Sequence, residues 1–228
     1  MLDNKNKIVV VIPAFNEAKT ITEAVNSLKQ YAQEVMVVDD GSSDETGLRA
    51  LKAGASVISH KKRLGYDKAI EDGFKEAIKQ GADIVVTFDA DGQHEAGDVS
   101  KLTKPIIEGK AEMVIGQRPH FTHFFEKIFS LYTKLAYNIK DPLCGLKAYR
   151  KEIYESIGYF DRINSIGTQL MIEALHKGFR AQFIPVNINP RHESSRFYYR
   201  KILANYKVLR AMIKIIIEVS LRKYIRKL

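Results

Sequence analysis

Two aspartates separated by one small residue are the part of this chain best suited to bind a metal ion. Asp89 and Asp91 follow the β-branched run 83–88, a pattern typical of a buried strand. Beyond such a strand both carboxylates can face one hard cation, and Mg²⁺ is usually held by one or two carboxylates together with substrate phosphates. Gln93 offers a neutral oxygen to the same ion. For the Asp-x-Asp motif alone, a polar strand-to-helix turn is the alternative interpretation.

Polar clusters also follow two earlier apolar runs. Residues 13–17 (PAFNE) come after the run 8–12, and residues 39–44 (DDGSSD) come after the run 34–38. Ligands of open parallel sheets bind beyond the carboxyl ends of the strands, so three such clusters at one edge predict a shared site. The chain lacks GxGxxG after its first strand and lacks GxxxxGK[ST]. These absences disfavour a dinucleotide dehydrogenase and a P-loop NTPase.

Short β-branched runs alternate with helical periodicity through the first half of the chain. We expect strands at 8–12, 34–38, 56–59, 83–88 and 113–115, and helices at 20–31, 43–53, 67–80 and 99–108. In the second half we expect helices at 124–136 and 169–176, a polar break at 141–145 and a strand at 183–188. The βαβα order predicts an α/β fold with a mostly parallel sheet and helices on both of its faces.

Composition excludes several classes of protein. The 228 residues suit one domain, or one domain with an appendage. The 45% hydrophobic and 28% charged residues exclude wholesale disorder. Cys144 is the one cysteine, which excludes an intramolecular disulfide and an ordinary structural zinc site. The N-terminus lacks the apolar core of a signal peptide, and no apolar run reaches the roughly 18 residues of a transmembrane helix.

The net charge of +9 is concentrated at the C-terminus. Residues 196–228 contain ten cations and one anion, whereas the preceding 195 residues contain 26 of each. A neutral body with a basic tail does not resemble a groove-binding nucleic-acid domain. We therefore expect no nucleic-acid partner.

The basic tail also has helical periodicity. Its apolar residues recur at steps of three and four and predict one stripe: Ile202, Tyr206, Leu209, Ile213 and Ile216. The cations on the opposite face are Lys207, Arg210, Lys214 and Arg222. A basic amphipathic helix of this kind can lie on an anionic membrane surface. The alternative is a helix packed on its own domain with a solvated basic face.

At this point the motifs resemble glycosyltransferase family two. The matching segments are 13–17, 39–44, Leu64-Gly65 with Ala69, 89–94 (DADGQH), Gly116-x-Arg118 and 141–150 (DPLCGLKAYR). Within the family, the Asp-Ala-Asp-x-Gln form is similar to the dolichol-phosphate mannose synthases and related polyprenyl-phosphate glycosyltransferases. The resemblance covers roughly residues 8–195. It implies the Rossmann-like GT-A fold for residues 1–195. The periodicity and charge of the tail predict residues 196–228 as an appended amphipathic helix associated with the membrane surface.

The resemblance implies a role for each matching residue. The nucleotide-sugar site would be formed by Pro13, Phe15, Glu17, Asp39, Asp40, Ala90 and Asp91. The ligands of Mg²⁺ or Mn²⁺ would be Asp89, Asp91 and Gln93. The acceptor phosphate would be bound by Arg118, Arg191 and Ser195. The catalytic residues would be Asp91, Arg118 and Asp141, the last of which would orient the sugar or the acceptor.

The implied reaction is an inverting, metal-dependent sugar transfer to a polyprenyl or dolichyl phosphate. The favoured donor is GDP-mannose, and a UDP-sugar is the alternative. A lipid phosphate is already ionised near neutral pH, so it needs cations to place it rather than a base. A saccharide hydroxyl acceptor would need a base, for which Asp141 is the candidate. A third alternative is a non-catalytic nucleotide-sugar-binding module, against which the intact pair Asp89 and Asp91 argues.

The resemblance also bears on location. Many relatives in this branch carry C-terminal transmembrane helices, and this sequence contains none. We therefore expect peripheral attachment at the cytoplasmic face of the membrane, through residues 197–228 or through a membrane protein partner. The run 61–63 (KKR) before Leu64-Gly65 replaces a more usual asparagine context and is interpreted as a solvated group of charges.

Overall fold

A computed structural model describes residues 5–121, 123–189 and 201–221 of the chain. The strands within these ranges are β1 Ile8–Ala14, β2 Glu34–Asp39, β3 Ser56–Ser59, β4 Ile84–Thr87, β5 Met113–Gln117, β6 Lys147–Arg150 and β7 Ala181–Pro185. The helices are α1 Ile21–Leu28, α2 Thr46–Lys52, α3 Tyr66–Lys79, α4 Asp98–Ile107, α5 Phe124–Tyr137, α6 Lys151–Ile157, α7 Gln169–His176 and α8 Lys201–Lys214. A π-helical turn, Ile215–Leu221, continues α8.

The strands form one sheet in the order β3-β2-β1-β4-β6-β5-β7. Every pairing is parallel except those of β6, which runs antiparallel to both β4 and β5. The predicted mostly parallel sheet is therefore confirmed. β1 pairs with β2 on one side and with β4 on the other, so the order of the strands reverses beside β1. Ligands of such sheets bind at this kind of switch point.

Both faces of the sheet are covered by helices, as the sequence predicts. Val9 and Val11 face a core that includes residues of α3, α5, α6, α7 and α8. Ile8, Val10 and Ile12 face a second core with residues of α1, α2 and α4. Because β1 is buried on both faces, it reads as a continuous apolar run rather than an alternating one.

The sequence analysis missed β6 and α6. The strand has only four residues and is bounded by Lys147 and Arg150, and α6 follows at once. No apolar run marks it, although Lys147 is buried. The sequence predicts the last strand at 183–188. The strand instead comprises Ala181–Pro185, because these residues pair with β5 from Met113 to Gln117.

Among the described side chains of α8 and of the π-helical turn after it, apolar residues lie on two sides and not in the single stripe predicted. The side packed on the domain contains Ala204, Val208 and Ala211 of α8 and Ile215 of the turn. The exposed side contains Leu203, Tyr206 and Ile213 of α8 and Ile217 of the turn, and Arg210 is exposed as well. The predicted side chains of Ile202 and Arg222 lie outside the described part of the chain. The small side chains of Ala204 and Ala211 allow close packing, and the Phe125 amide donates a hydrogen bond to Asn205 Oδ1 (3.2 Å). None of the helices in the described ranges is long and apolar enough to cross a bilayer.

Helix α3 approaches the sheet most closely at Gly73. A Cβ atom at this position would lie 2.3 Å from Val11 Cγ1 and 3.1 Å from Val38 Cγ2. These distances leave no room for a side chain, although alanine is the better helix former. The glycine is therefore required by the packing of α3 across β1 and β2.

We predict that Gly73→Ala lowers the free energy of unfolding by about 1–3 kcal/mol, because it overpacks the core. Urea unfolding followed by circular dichroism measures the change. Val11→Ala removes the Cγ1 atom with which the new Cβ collides. The double variant should therefore be more stable than the sum of the two single changes predicts. Strict additivity would contradict this account of the packing.

Candidate active site

The ends of β1, β2 and β4 bring the three polar clusters to one edge of the sheet. The Asp40 amide donates to the Ala14 carbonyl (2.8 Å), and the Phe88 amide donates to the Val11 carbonyl (3.0 Å). These bonds continue the pairing with β1 to the residues that directly follow β2 and β4. The segments 13–17, 39–44 and 89–94 therefore begin side by side, as the sequence predicts.

The first two clusters are bonded to each other. The Asn16 amide donates to Ser42 Oγ (2.9 Å), and Asn16 Oδ1 accepts the Ser43 amide (2.8 Å). Asn16 has a φ of 54°, a left-handed conformation that asparagine tolerates. The Glu17 amide donates to Thr46 Oγ1 (2.7 Å). These bonds fix the segment that carries Phe15 and Glu17 against the start of α2.

Asp40 is buried, and its carboxylate is turned toward the loop 60–65. Its Oδ1 accepts the Leu64 amide (2.7 Å) and lies 2.8 Å from His60 Nδ1. Its Oδ2 accepts the Gly65 amide (2.8 Å). The sequence suggested that Asp40 lines the nucleotide, and the structure gives this side chain a part in holding a loop.

The loop 60–65 folds back over the ends of β1 and β2. A Cβ atom on Gly41, whose φ is +72°, would lie 2.6 Å from the Lys62 carbonyl carbon, so this contact requires glycine. The Arg63 guanidinium lies over the Phe15 ring, with 4.3 Å from Cζ to the ring centroid. This is the geometry of a cation–π contact. The run 61–63 is exposed, as predicted, but Arg63 also covers a residue of the predicted nucleotide site.

Asp89 and Asp91 follow β4, and the surrounding backbone leaves room for them. A Cβ atom on Gly145 would lie 1.9 Å from Asp89 Oδ2, so only glycine fits beside this carboxylate. Thr87 Oγ1 donates to the Gly145 carbonyl (2.6 Å) and holds that backbone in place. Asp91 Oδ1 accepts the Gln93 amide (3.1 Å).

The described residues contain no group of three or more His, Cys, Asp or Glu side chains placed to hold a metal alone. Two carboxylates and an amide oxygen instead match a Mg²⁺ or Mn²⁺ ion that takes its remaining oxygens from a bound diphosphate. His94 is buried next to this pair, with Nε2 3.7 Å from Asp89 Oδ2. Its Nδ1 has no hydrogen-bond partner in the described part of the chain.

Arg118 and the buried Asp141 form a bidentate ion pair. Arg118 Nε donates to Asp141 Oδ2 (2.7 Å), and Nη2 donates to Oδ1 (2.9 Å). The Arg118 amide also donates to Oδ2 (3.1 Å), and Glu126 Oε2 lies 3.6 Å from Nη2. Burial alone would lower the pKa of Arg118. The hydrogen bonds and charge of Asp141, together with the charge of Glu126, have a larger opposite effect, so the pKa of Arg118 is raised above its ordinary value. Both oxygens of the Asp141 carboxylate thus accept hydrogen bonds, from three N–H groups of Arg118 in all.

The sequence analysis missed a group of buried polar side chains near Asp89, formed by Lys147 and Asp67 around the backbone of Gly167. Lys147 Nζ donates to the Gly167 carbonyl (2.7 Å), and burial lowers the pKa of this lysine although Asp141, Asp67 and Asp89 oppose the shift. The Gly167 amide donates to Asp67 Oδ1 (2.7 Å). Burial and the charge of Asp161 raise the pKa of Asp67 to about 7.

The backbone next to Gly167 is strained. Ile166 has a φ of 58°, which is unfavourable for a β-branched residue. Asp161 holds the turn by accepting the amides of Ser165 (3.0 Å) and Gly167 (3.1 Å). Strain of this kind is often found at functional sites. The one indication of this buried polar group in the sequence was the position of Lys147 inside the matched segment 141–150.

The predicted acceptor residues Arg191 and Ser195 lie outside the described residues. The last described residues before them are bonded to the metal motif. Ile188 pairs with His94 in an antiparallel bridge, and the Asn189 amide donates to the Gln93 carbonyl (2.8 Å).

Comparison with known proteins places this arrangement in a family. Residues 9–203 match the family model of glycosyl transferase family 2. The chain belongs to this family. It is therefore a glycosyltransferase, and the resemblance found in its motifs is confirmed.

Two relatives of this family 2 enzyme have named activities. The UDP-N-acetylglucosamine–dolichyl-phosphate N-acetylglucosaminyltransferase of Methanococcus voltae is 32% identical over 174 residues, which cover 63% of this chain and 69% of that protein. The dolichol-phosphate mannosyltransferase of Pyrococcus furiosus is 31% identical over 202 residues. The match covers 79% of this chain and 55% of the Pyrococcus protein.

A solved structure confirms the GT-A fold. Glucosyl-3-phosphoglycerate synthase from Mycobacterium tuberculosis, in complex with Mn²⁺, UDP-glucose and phosphoglyceric acid, matches with a TM-score of 0.67. The identity is 20%, and the match covers 88% of this chain and 79% of that one. At this identity the likeness supports the fold of the family 2 enzyme and not its substrate.

We predict that Gly145→Ala weakens divalent cation binding by the family 2 enzyme at least about tenfold, because the new methyl group displaces Asp89. Isothermal titration with Mn²⁺ in the presence of a nucleoside diphosphate measures the affinity. The control is Gly97→Ala, since a Cβ atom there meets only Tyr31 at an ordinary 3.6 Å. Equal affinities of the two variants would show that Asp89 is not a ligand.

Proposed function

We propose that this protein is an inverting, metal-dependent glycosyltransferase that moves a sugar from a nucleotide-diphosphate donor to a polyprenyl or dolichyl phosphate. The observation that carries the proposal is the ion pair of Arg118 with the buried Asp141. GDP-mannose is the favoured donor and a UDP-sugar the alternative. The names of the Methanococcus and Pyrococcus relatives support a lipid-phosphate acceptor, and they give N-acetylglucosamine from a UDP donor in one case and mannose in the other.

The contacts of Asp141 argue against its acting as a general base. A base that deprotonates a hydroxyl must reach that hydroxyl with an available lone pair. Asp141 is 1% exposed and binds the Arg118 guanidinium through both of its oxygens. A phosphate acceptor is already ionised and needs no base. The second role suggested by the sequence, orientation of the acceptor, therefore fits better, because Asp141 fixes the position of Arg118.

Arg118 is suited to bind an anionic acceptor. Its guanidinium is planar and permanently charged, and Asp141 holds it through one edge. The side chain remains 19% exposed. The remaining donors can bind a phosphate oxygen and direct the acceptor toward the sugar from the side opposite the leaving diphosphate. Attack from that side inverts the anomeric centre.

The donor would occupy the edge formed by β1, β2 and β4. Phe15, with Arg63 over it, would contact the nucleoside, and Glu17 and Asp39 would line the same end of the site. Asp89, Asp91 and Gln93 would hold Mg²⁺ or Mn²⁺. Ala90, which lies between the two aspartates in sequence, is buried in the core that includes residues of α1, α2 and α4. When bound, such an ion stabilises the negative charge of the departing nucleoside diphosphate.

A lipid acceptor requires the site to meet a membrane, and α5 and α8 offer a surface for this contact. They pack against each other and expose apolar side chains: Phe124, Leu131 and Leu135 on α5, Leu203, Tyr206 and Ile213 on α8, and Ile217 on the π-helical turn that continues α8. We name these residues the apolar surface. Lys207 and Arg210 are exposed on α8 as well and suit anionic headgroups. Peripheral attachment at the cytoplasmic face, directly or with a membrane protein partner, is part of the proposal.

We predict that the purified enzyme transfers sugar to a polyprenyl phosphate and not to the polyprenol of the same chain length. A panel of radiolabelled GDP- and UDP-sugars with Mg²⁺ or Mn²⁺ measures the glycolipid formed and identifies the sugar. Asp89→Ala should lower the rate at least about a hundredfold, because it removes a ligand of the ion that stabilises the leaving group. The control is Asp83→Asn, at the other end of β4.

Transfer to polyprenol or to a saccharide would overturn the choice of acceptor and make Asp141 a base. Metal-dependent hydrolysis of the donor without glycolipid would keep the donor site and reject the lipid phosphate. Binding of a nucleotide sugar without any turnover would favour the non-catalytic module.

We predict that Leu135→Ser combined with Ile213→Ser lowers binding to vesicles of phosphatidylglycerol and phosphatidylcholine at least about tenfold, because each leucine or isoleucine contributes about 1.5–3 kcal/mol when buried. Vesicle flotation measures the bound fraction. Leu48→Ser with Leu51→Ser is the matched control, because these exposed leucines lie on α2, away from the apolar surface. Equal loss in both double variants would reject this surface as the membrane contact.

A further inference from the structure

His60 lies between two carboxylates next to the predicted nucleotide site. Its Nδ1 is 2.8 Å from Asp40 Oδ1, and its Nε2 is 3.1 Å from Asp72 Oδ2. The side chain is only 9% exposed. Both ring nitrogens therefore lie within hydrogen-bond distance of a carboxylate oxygen, so the imidazole spans the gap between the two side chains. The sequence analysis gave this histidine no role.

The two carboxylates belong to different parts of the fold. Asp40 directly follows β2, whereas Asp72 lies in the middle of α3. Lys68, one turn earlier in α3, binds Asp72 through its other oxygen. His60 therefore joins the end of a central strand to a helix packed across the sheet. Because one support directly follows a central strand and the other lies within a helix, the imidazole position is fixed from two sides.

Asp40 in turn holds the loop 60–65 by hydrogen bonds. The loop begins with the His60 amide bonded to the Asp39 carbonyl (2.9 Å). It ends with the Leu64 and Gly65 amides bonded to the Asp40 carboxylate (2.7 and 2.8 Å). Arg63 is placed over Phe15 by a loop that is anchored at both ends, and one anchor depends on a carboxylate that His60 holds.

We infer that His60 is a positioning residue for the nucleotide end of the donor site. By joining Asp40 to Asp72 it fixes the loop that sets the Arg63 guanidinium over Phe15. The inference rests on the proposed function, because a nucleotide donor is the ligand that this end of the site would take. Its effect should fall on donor affinity and not on sugar transfer itself. The groups assigned to the ion and the acceptor belong to other segments, at 89–93 and at Arg118 with Asp141.

The test compares substitutions of Asp72 and of the two residues that bind its carboxylate, His60 and Lys68. His60→Gln keeps a polar side chain but cannot bridge both carboxylates, and it should raise the donor KM and Kd about tenfold, the cost of one charged hydrogen bond. The kcat should stay within about twofold and the acceptor KM unchanged, because the loop binds only the donor. Asp72→Asn keeps an acceptor and should have a smaller effect in the same direction. Lys68→Gln breaks only the exposed pair and should change neither constant.

A double-mutant cycle separates positioning from a general loss of stability. Arg63→Ala should raise the donor Kd in the wild-type protein but add little in the His60→Gln background, because Arg63 is already misplaced there. Calorimetry of donor binding is made at a temperature where thermal unfolding shows each variant to be fully folded. If His60→Gln fails to fold, the same cycle is run with Asp72→Asn.

The outcomes distinguish this inference from the proposed function. If the wild-type protein binds neither GDP-mannose nor a UDP-sugar, the proposed function fails, and the positioning role fails with it. If the wild-type protein binds donor and His60→Gln or Asp72→Asn binds it equally well, only the role of His60 is overturned. Additive effects of His60→Gln and Arg63→Ala would also overturn it.

Discussion

The parallel hydrogen bonding of β1 to β2 on one side and to β4 on the other is the constraint on which the site depends. It places three chain segments, distant in sequence, at one edge of the sheet, because it pairs β1 with the last residue of β2 and with the last residue of β4. The close approach of α3 at Gly73 and the double burial of β1 keep this edge rigid. Rigid support matters because a metal site and a donor site tolerate little displacement of their ligands.

Two buried carboxylates organise the loops that extend from this edge. Asp40 holds the loop 60–65, and Asp141 holds Arg118, each through three hydrogen bonds from protein donors. A buried charge left unpaired would be costly, so each carboxylate strongly selects the one loop arrangement that supplies its donors. Each carboxylate also bears on the position of an arginine: Asp141 binds Arg118 directly, and Asp40 holds the loop that carries Arg63.

Helix α5 connects the acceptor side of the site with the outer surface. Its inner face carries Glu126 beside Arg118, and its outer face exposes Phe124, Leu131 and Leu135. Under the proposed function this geometry suits an acceptor whose phosphate enters the protein while its lipid chain stays in the membrane. The two sides of α8 fit the same arrangement, since one packs on the domain and the other is exposed and apolar.

The sequence by itself determined the order of the elements apart from β6 and α6, the mostly parallel sheet and the family, because buried strands and the polar clusters after them leave local patterns. It identified Asp89, Asp91, Arg118 and Asp141 as candidates for the site. Only the tertiary structure decided which of these side chains bond to one another, and it alone brought out His60, Asp67 and Lys147. It also decided that α8 is apolar on two sides and that the charged segment Lys147–Arg150 is an antiparallel strand. The reason is that hydrogen bonds between distant residues, such as Asp40 with Gly65 or Arg118 with Asp141, depend on how loops fold back on the sheet, and local patterns contain no record of that.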